Sequence, residues 1–192
     1  MSKKGFFATI IALPVLIVGS AWAFQVLSPH VAPELPPAAS VSVSASSSRE
    51  AESHPAPDIT VYDEAGQTVT LSSLRGKPVI LNFWASWCPP CQRELPHFNE
   101  AYGQYGDRIT FAVVDLTDGA RETQESALAH LRENDYSLPP LFDLDGTAAY
   151  TYSVSSIPAT FFIDAEGELV TYAVGALNRE MLQQGIELLL GE

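Results

Sequence analysis

Residues 78–91 read PVILNFWASWCPPC: an apolar run (78–84) followed within a few positions by two cysteines spaced C-x-x-C. A run without polar alternation is a strand buried on both faces, as in a parallel sheet covered by helices. Beyond the motif, Pro89 and Pro90 open a string of helix formers that reaches Tyr105. Proline suits the first turn of a helix, because the N–H it lacks would have no intrahelical partner there. Cys88 therefore falls where a buried strand hands over to a helix. Residues 109–116 (ITFAVVDL) form a second continuous apolar strand, and residues 123–134 (TQESALAHLREN) have the pattern of an amphipathic helix. Residues 159–164 (ATFFID) and 169–174 (LVTYAV) read as a hairpin about Ala165-Glu166-Gly167, and Arg179–Leu190 as a closing helix. Upstream, residues 60–61 and 69–71 flank Ala65-Gly66 as a small N-terminal hairpin. The order β-α-β, α, β-β-α predicts an α/β fold with a mixed central sheet flanked by helices.

The chain has 192 residues, 46% hydrophobic and 17% charged, which suits one globular domain with appendages. Acidic residues outnumber basic ones 23 to 10, for a net charge of −13. Such a surface repels phosphate backbones, and no Lys/Arg stripe interrupts it, so no nucleic acid is expected as a partner. It fits a basic partner, although a solvated surface is the simpler account. Two cysteines cannot build a disulfide-rich scaffold.

Residues 5–27 (GFFATIIALPVLIVGSAWAFQVL) are mostly apolar and uncharged. As a helix they would span roughly 30 Å or more, the thickness of a bilayer core. Lys3 and Lys4 just before them favour a cytoplasmic N-terminus, so everything after residue 27 is expected on the extracytoplasmic side of a bacterial cell membrane. Ala21-Trp22-Ala23 carries a second reading, a signal peptide cleaved after Ala23 that leaves a secreted or periplasmic protein. The length favours an uncleaved anchor held in the lipid bilayer; both readings export the domain. Residues 28–57 hold eight Ser, six Pro and six Ala, a composition that cannot bury enough apolar surface to offset chain entropy. The expected organisation is an anchor at 1–27, a disordered linker at 28–57 and a folded domain at 58–192.

Three explanations compete for the C-x-x-C pair. A structural disulfide closing so short a loop stabilises by only about 2 kcal/mol. A zinc or copper site needs more ligands, and His30, His54, His97 and His130 stand at no metal-binding spacing. A redox dithiol explains location as well as spacing. The N–H groups and partial positive charge at a helix start stabilise a thiolate on Cys88. Lowering a thiol pKa from about 8.5 to about 7 raises the ionised fraction at neutral pH from a few per cent to roughly half. Cys88 is thus expected to be the exposed nucleophile, and Cys91, one turn further in, the resolving thiol.

Residues 82–96 (NFWASWCPPCQRELP), with SIPAT at 156–160, resemble thioredoxin-like proteins, and more narrowly the membrane-anchored TlpA/ResA-type thiol-disulfide reductases. The resemblance covers about residues 58–191 and includes a helical insert near 123–134. It implies a cis peptide before Pro158, facing the dithiol, with the Ile157 backbone free to pair with a substrate chain as an added strand. It also implies a role for Glu94. Where thioredoxin carries a buried Asp, this chain has Asn82, and the family's replacement is a Glu three residues after the second cysteine. On a helix that spacing puts Glu94 on the face of Cys91, where it could deprotonate the resolving thiol; a solvated Glu favoured by the dipole is the plain alternative. Neither Pro89 nor Pro90 has an N–H for the Cys88 sulfur. Cys91 N–H is then the nearest donor, and a less stabilised thiolate makes a better reductant.

The candidate catalytic residues are Cys88, Cys91 and Glu94; Trp87, Pro89, Pro90, Ile157 and Pro158 are the candidate substrate contacts. The resemblance implies a protein disulfide as substrate, apocytochrome c among them, and a membrane dithiol carrier as electron donor. No cofactor or metal is expected. The alternatives are a peroxiredoxin-type thiol peroxidase, which wants Thr where this chain has Ala85, and a non-enzymatic copper-handling module. Trp84 either lines the groove or is simply packed. Pro96 is expected to kink its helix, and Arg93, His97 and His130 to be solvated. Asp143-Leu144-Asp145-Gly146 lacks the remaining ligands of a calcium loop and reads as a turn into a helix.

Overall fold

Val79–Trp84 buries all six of its residues, so helices or further strands must cover both faces of the sheet it belongs to. The computed structural model describes residues 54–192. The expected anchor, its cleavage site and residues 28–53 of the linker lie outside the described residues. Among the described residues, no helix is long and apolar enough to cross a membrane.

The elements run β1 (Thr60–Tyr62), β2 (Thr68–Thr70), a 3-10 turn (Leu71–Leu74), β3 (Val79–Trp84), α1 (Pro89–Tyr105), β4 (Thr110–Asp115), α2 (Gln124–Glu133), β5 (Pro140–Phe142), α3 (Thr147–Thr151), β6 (Ala159–Ile163), β7 (Leu169–Val174) and α4 (Arg179–Leu190). The sheet has seven strands in the order β2-β1-β5-β4-β3-β6-β7. β3, β4 and β5 are mutually parallel, and the remaining pairings are antiparallel. This is the mixed α/β sheet of a thioredoxin-like fold. Alternation along β3 divides the core. Ile80 and Trp84 pack with Leu95 and Phe98 of α1 and Leu182 and Ile186 of α4. Val79, Leu81 and Phe83 pack on the other face with Val61, Ala148 and Tyr152.

Two features depart from the sequence reading. β5 was not expected, since two prolines precede its last two residues; Pro140 takes the first strand position, where proline is tolerated. β5 fills the slot between β1 and β4, pairing Val114 with Leu141 and Tyr62 with Phe142. The folded unit also begins before residue 58. Leu169 N–H donates to the His54 carbonyl at 2.8 Å, Ala56 N–H donates to the Gly167 carbonyl at 2.9 Å, and Ala56 is buried. Residues 54–57 are recruited by these backbone hydrogen bonds, to which composition is blind, together with the burial of Ala56 and the Tyr152 hydroxyl donating to the Pro57 carbonyl at 2.9 Å.

α1 runs on through Pro96, whose ring nitrogen leaves the Gln92 carbonyl without an i+4 N–H. Thr123 and Ser126 form a capping box at the head of α2. His130 is not solvated as expected. It stands one turn after the buried Ala127, and its ring packs 5.9 Å from Trp84 and 6.4 Å from Tyr136. Arg93 is exposed and His97 half-buried. Gly146, at φ 73°, is the left-handed residue that turns Asp143-Leu144-Asp145 into α3.

Gly185 lets α4 lie directly on β6, because a Cβ there would overlap the Phe162 ring. Gly185→Ala is expected to cost about 1–3 kcal/mol through overpacking. Urea unfolding should show a lower midpoint at unchanged slope, and a midpoint equal to the parent's would refute the close approach.

Candidate active site

The turn after β3 delivers Cys88 to the head of α1. Cys88 is the N-cap residue, in extended conformation (φ −89°, ψ 107°), and Cys91 lies in the first turn. The two are joined as a disulfide with a Cα–Cα separation of 5.3 Å. Cys91 N–H points at the Cys88 sulfur from 3.3 Å, while Pro89 and Pro90 have no N–H to offer. Both cysteines are buried, Cys91 fully. Cys88 is only 3% exposed, so it is not the open nucleophile of the sequence reading. The reason is a neighbour distant in sequence: the Ile157 carbonyl oxygen lies 3.8 Å from the Cys88 sulfur. The Ile157–Pro158 peptide bond is cis, and Pro158 leads into β6, the antiparallel neighbour of β3. Around the sulfur, Trp87 and Pro89 are exposed and Pro90 is half-buried. The Arg121 guanidinium lies over the Trp87 ring, 3.4 Å from its centroid. Trp84 is fully buried and belongs to the core.

Glu94 is fully buried, which rules out the solvated alternative. One carboxyl oxygen accepts from Asn82 Nδ2 at 2.9 Å and the other from the Leu177 N–H at 2.9 Å. Asn82 Nδ2 also donates to Thr160 Oγ1 at 3.0 Å, and Asn82 Oδ1 has no partner. Burial pushes the Glu94 carboxyl up to about 7, against the lowering by these two hydrogen bonds. A buried carboxyl poised near neutrality, one helical turn from a thiol, is equipped to take or give a proton there.

Other polar groups at the site carry no motif. Ser86, two residues before Cys88, gives both its N–H and its hydroxyl to the buried Glu122 carboxylate. Asp115 at the end of β4 is also fully buried. An acid closing an apolar strand run was a signal available for Asp115; nothing local marked Glu122. Among the described residues, no three His, Cys, Asp or Glu gather as a metal ion would require.

A dithiol at a helix head, opposed by a cis-proline on a mixed sheet, defines the class of thioredoxin-like disulfide oxidoreductases. Comparison with known proteins agrees. The model of the AhpC/TSA family matches residues 53–172. A thiol-disulfide oxidoreductase ResA of Bacillus cereus is 34% identical over 128 residues, covering 67% of this chain and 72% of that protein. A putative thiol:disulfide interchange protein DsbE from Chlorobium tepidum has a TM-score of 0.62 and 32% identity, covering 72% of this chain and 97% of that one. The pneumococcal exposed lipoprotein thioredoxin Etrx1 of Streptococcus pneumoniae has a TM-score of 0.59 and 33% identity, covering 68% and 98%. The chain belongs to the AhpC/TSA family and, within it, to the ResA-type thiol-disulfide oxidoreductases, enzymes of dithiol-disulfide exchange.

Proposed function

We propose that this protein is an exported, membrane-tethered oxidoreductase that reduces disulfides of client proteins, with Cys88 as nucleophile, Cys91 as resolving thiol and Glu94 as its base. In the dithiol form, the Cys88 thiolate attacks one client sulfur, the client disulfide breaks, and one client thiolate leaves and takes a proton. Glu94 then accepts the Cys91 proton. The Cys91 thiolate attacks the Cys88 sulfur, the second client sulfur departs as a thiolate that takes up a proton, and the Cys88–Cys91 bond closes. One client disulfide becomes two thiols, and the protein's dithiol becomes a disulfide that an external dithiol must reduce again. Carrying this reading is the Cys88 sulfur at a helix N-cap beside the Ile157 carbonyl, where an extended client could pair with the backbone ahead of Pro158. Trp87, Pro89 and Pro90 would then border the client's cysteine.

The apolar residues 5–27 and a relative described as an exposed lipoprotein support work outside the cytoplasm, with residues 5–27 as the single-pass anchor and 28–53 as reach. Apocytochrome c as client and a membrane dithiol carrier as electron donor follow from the family resemblance. Ala85, three residues before Cys88, has no hydroxyl to offer a peroxide, which favours exchange over peroxidase chemistry. The deciding experiment compares insulin-disulfide reduction with peroxide turnover by the reduced full chain: disulfide reduction is expected to dominate, and faster peroxide turnover would reverse the assignment. A single N–H on the Cys88 sulfur predicts a reduction potential nearer that of thioredoxin, about −270 mV, than that of a strong oxidase. A titration near −120 mV, roughly the range of a strong oxidase, would overturn the reducing direction.

A further inference from the structure

The loop between β4 and α2 grips the active-site turn with groups that the exchange chemistry leaves unused. Glu122 turns both oxygens to one residue, accepting the Ser86 N–H at 3.1 Å and the Ser86 hydroxyl at 2.8 Å. The Ser86 carbonyl in turn accepts from Gln92 Nε2 of α1 at 2.6 Å. Next to Glu122, Arg121 covers Trp87. The loop is itself braced, since Asp118 Oδ1 accepts from the N–H groups of Ala120, Arg121 and Glu122 at 2.8, 2.7 and 2.9 Å. Two consecutive loop side chains therefore hold Ser86 and Trp87, the two residues that lead into Cys88.

Behind this clasp lies a second buried acid. Asp115 Oδ1 accepts from the Thr117 hydroxyl at 2.6 Å, while its Oδ2 is buried with no donor on it. Desolvation, together with the charges of Glu122 and Asp118, pushes the Asp115 carboxyl up to about 8. A proton on Oδ2 turns that orphaned acceptor into a donor towards Glu122, and leaves the Glu122 carboxylate to Ser86. The other charged groups nearby are engaged elsewhere. Arg121 lies over Trp87, and the Asp143 carboxylate accepts the Ala148 and Ala149 N–H groups.

We propose that Glu122 is a positioning residue for disulfide exchange: it fixes Ser86 and hence the turn that presents Cys88. A proton held on Asp115 maintains that grip. The proposal rests on the exchange function assigned above. Loss of that proton sets two buried carboxylates against each other and releases Ser86.

The test follows the Ser86 amide resonance of the oxidised full chain across pH, where neither cysteine titrates, in a Glu94→Gln background that silences the other acid near neutrality. The resonance is expected to move with a midpoint near 8. The transition should vanish in Asp115→Asn, whose amide donates to Glu122 at every pH, and in Glu122→Gln, where no second charge arises. If Asp115→Asn does not fold, Glu122→Gln decides alone. On Glu94-containing protein, Glu122→Ala should lower kcat/KM for a disulfide client about tenfold, while Glu122→Gln, still accepting the Ser86 N–H, stays within about threefold. A Ser86 transition unchanged in both variants, or Glu122→Ala at full rate, would overturn the proposal. Failure of the parent chain to reduce any disulfide would instead overturn the assigned function, because the amide titration reads the grip independently of turnover.

Discussion

Cys91→Ser is expected to turn the enzyme into a trap, accumulating client covalently bound at Cys88 while turnover falls at least about a hundredfold. The geometry separates the two half-reactions. The donor that faces the Cys88 sulfur is the backbone N–H of residue 91, which serine keeps, so Cys88 remains ionisable and still attacks. What serine removes is the intramolecular thiol one turn away, and release must then wait for a thiol from solution. Non-reducing electrophoresis of cells expressing the variant should show the adduct, and Cys88→Ser should show none. Normal alkylation of Cys88 in the Cys91→Ser chain without any adduct would defeat the mechanism.

Glu94→Gln should stabilise the protein above neutral pH and slow it. The folded chain holds the Glu94 proton up to about 7, whereas the ordinary value is 4.5. Between these values the folded state binds more protons than the unfolded one, so stability falls as pH rises, and the penalty is complete above about 7. The shift corresponds to about 3 kcal/mol at most. Glutamine carries none of that penalty. Its oxygen can accept the Leu177 N–H, and a turn of the Asn82 amide lets Oδ1, at present without a partner, accept from the new amide. Urea unfolding should therefore give equal stabilities below about pH 4.5 and a more stable variant at about pH 8. Asp115 lowers parent and variant alike over its own range, so the difference between the two curves isolates Glu94. Client release should be slower in the variant at every pH, since glutamine cannot accept the Cys91 proton. Identical pH dependence of stability in the two chains would show that Glu94 carries no such burden.

Much of the site could be read from residues adjacent in sequence. C-x-x-C after a buried strand located the redox centre, because strand end, proline and helix start all fall within one short segment. The resemblance to thioredoxin-like proteins pointed to Glu94, since Asn82 stands where thioredoxin carries a buried acid. His130 misled because its partners, Trp84 and Tyr136, cannot be inferred from helix periodicity alone. β5 is not legible in the sequence because its pairing partners lie far along the chain and Pro139 and Pro140 suggest a loop.

Local chemistry in the sequence determined the class of reaction, the pair of sulfurs and their order along the helix, because backbone periodicity and the donors missing from proline act within a few bonds. Tertiary structure alone decided how deeply Cys88 is covered, that Glu94 is desolvated between Asn82 and Leu177, and that Glu122 reaches Ser86 across 36 positions of chain. Burial and charge pairing arise between segments that only folding brings together, and those quantities set a proton's affinity.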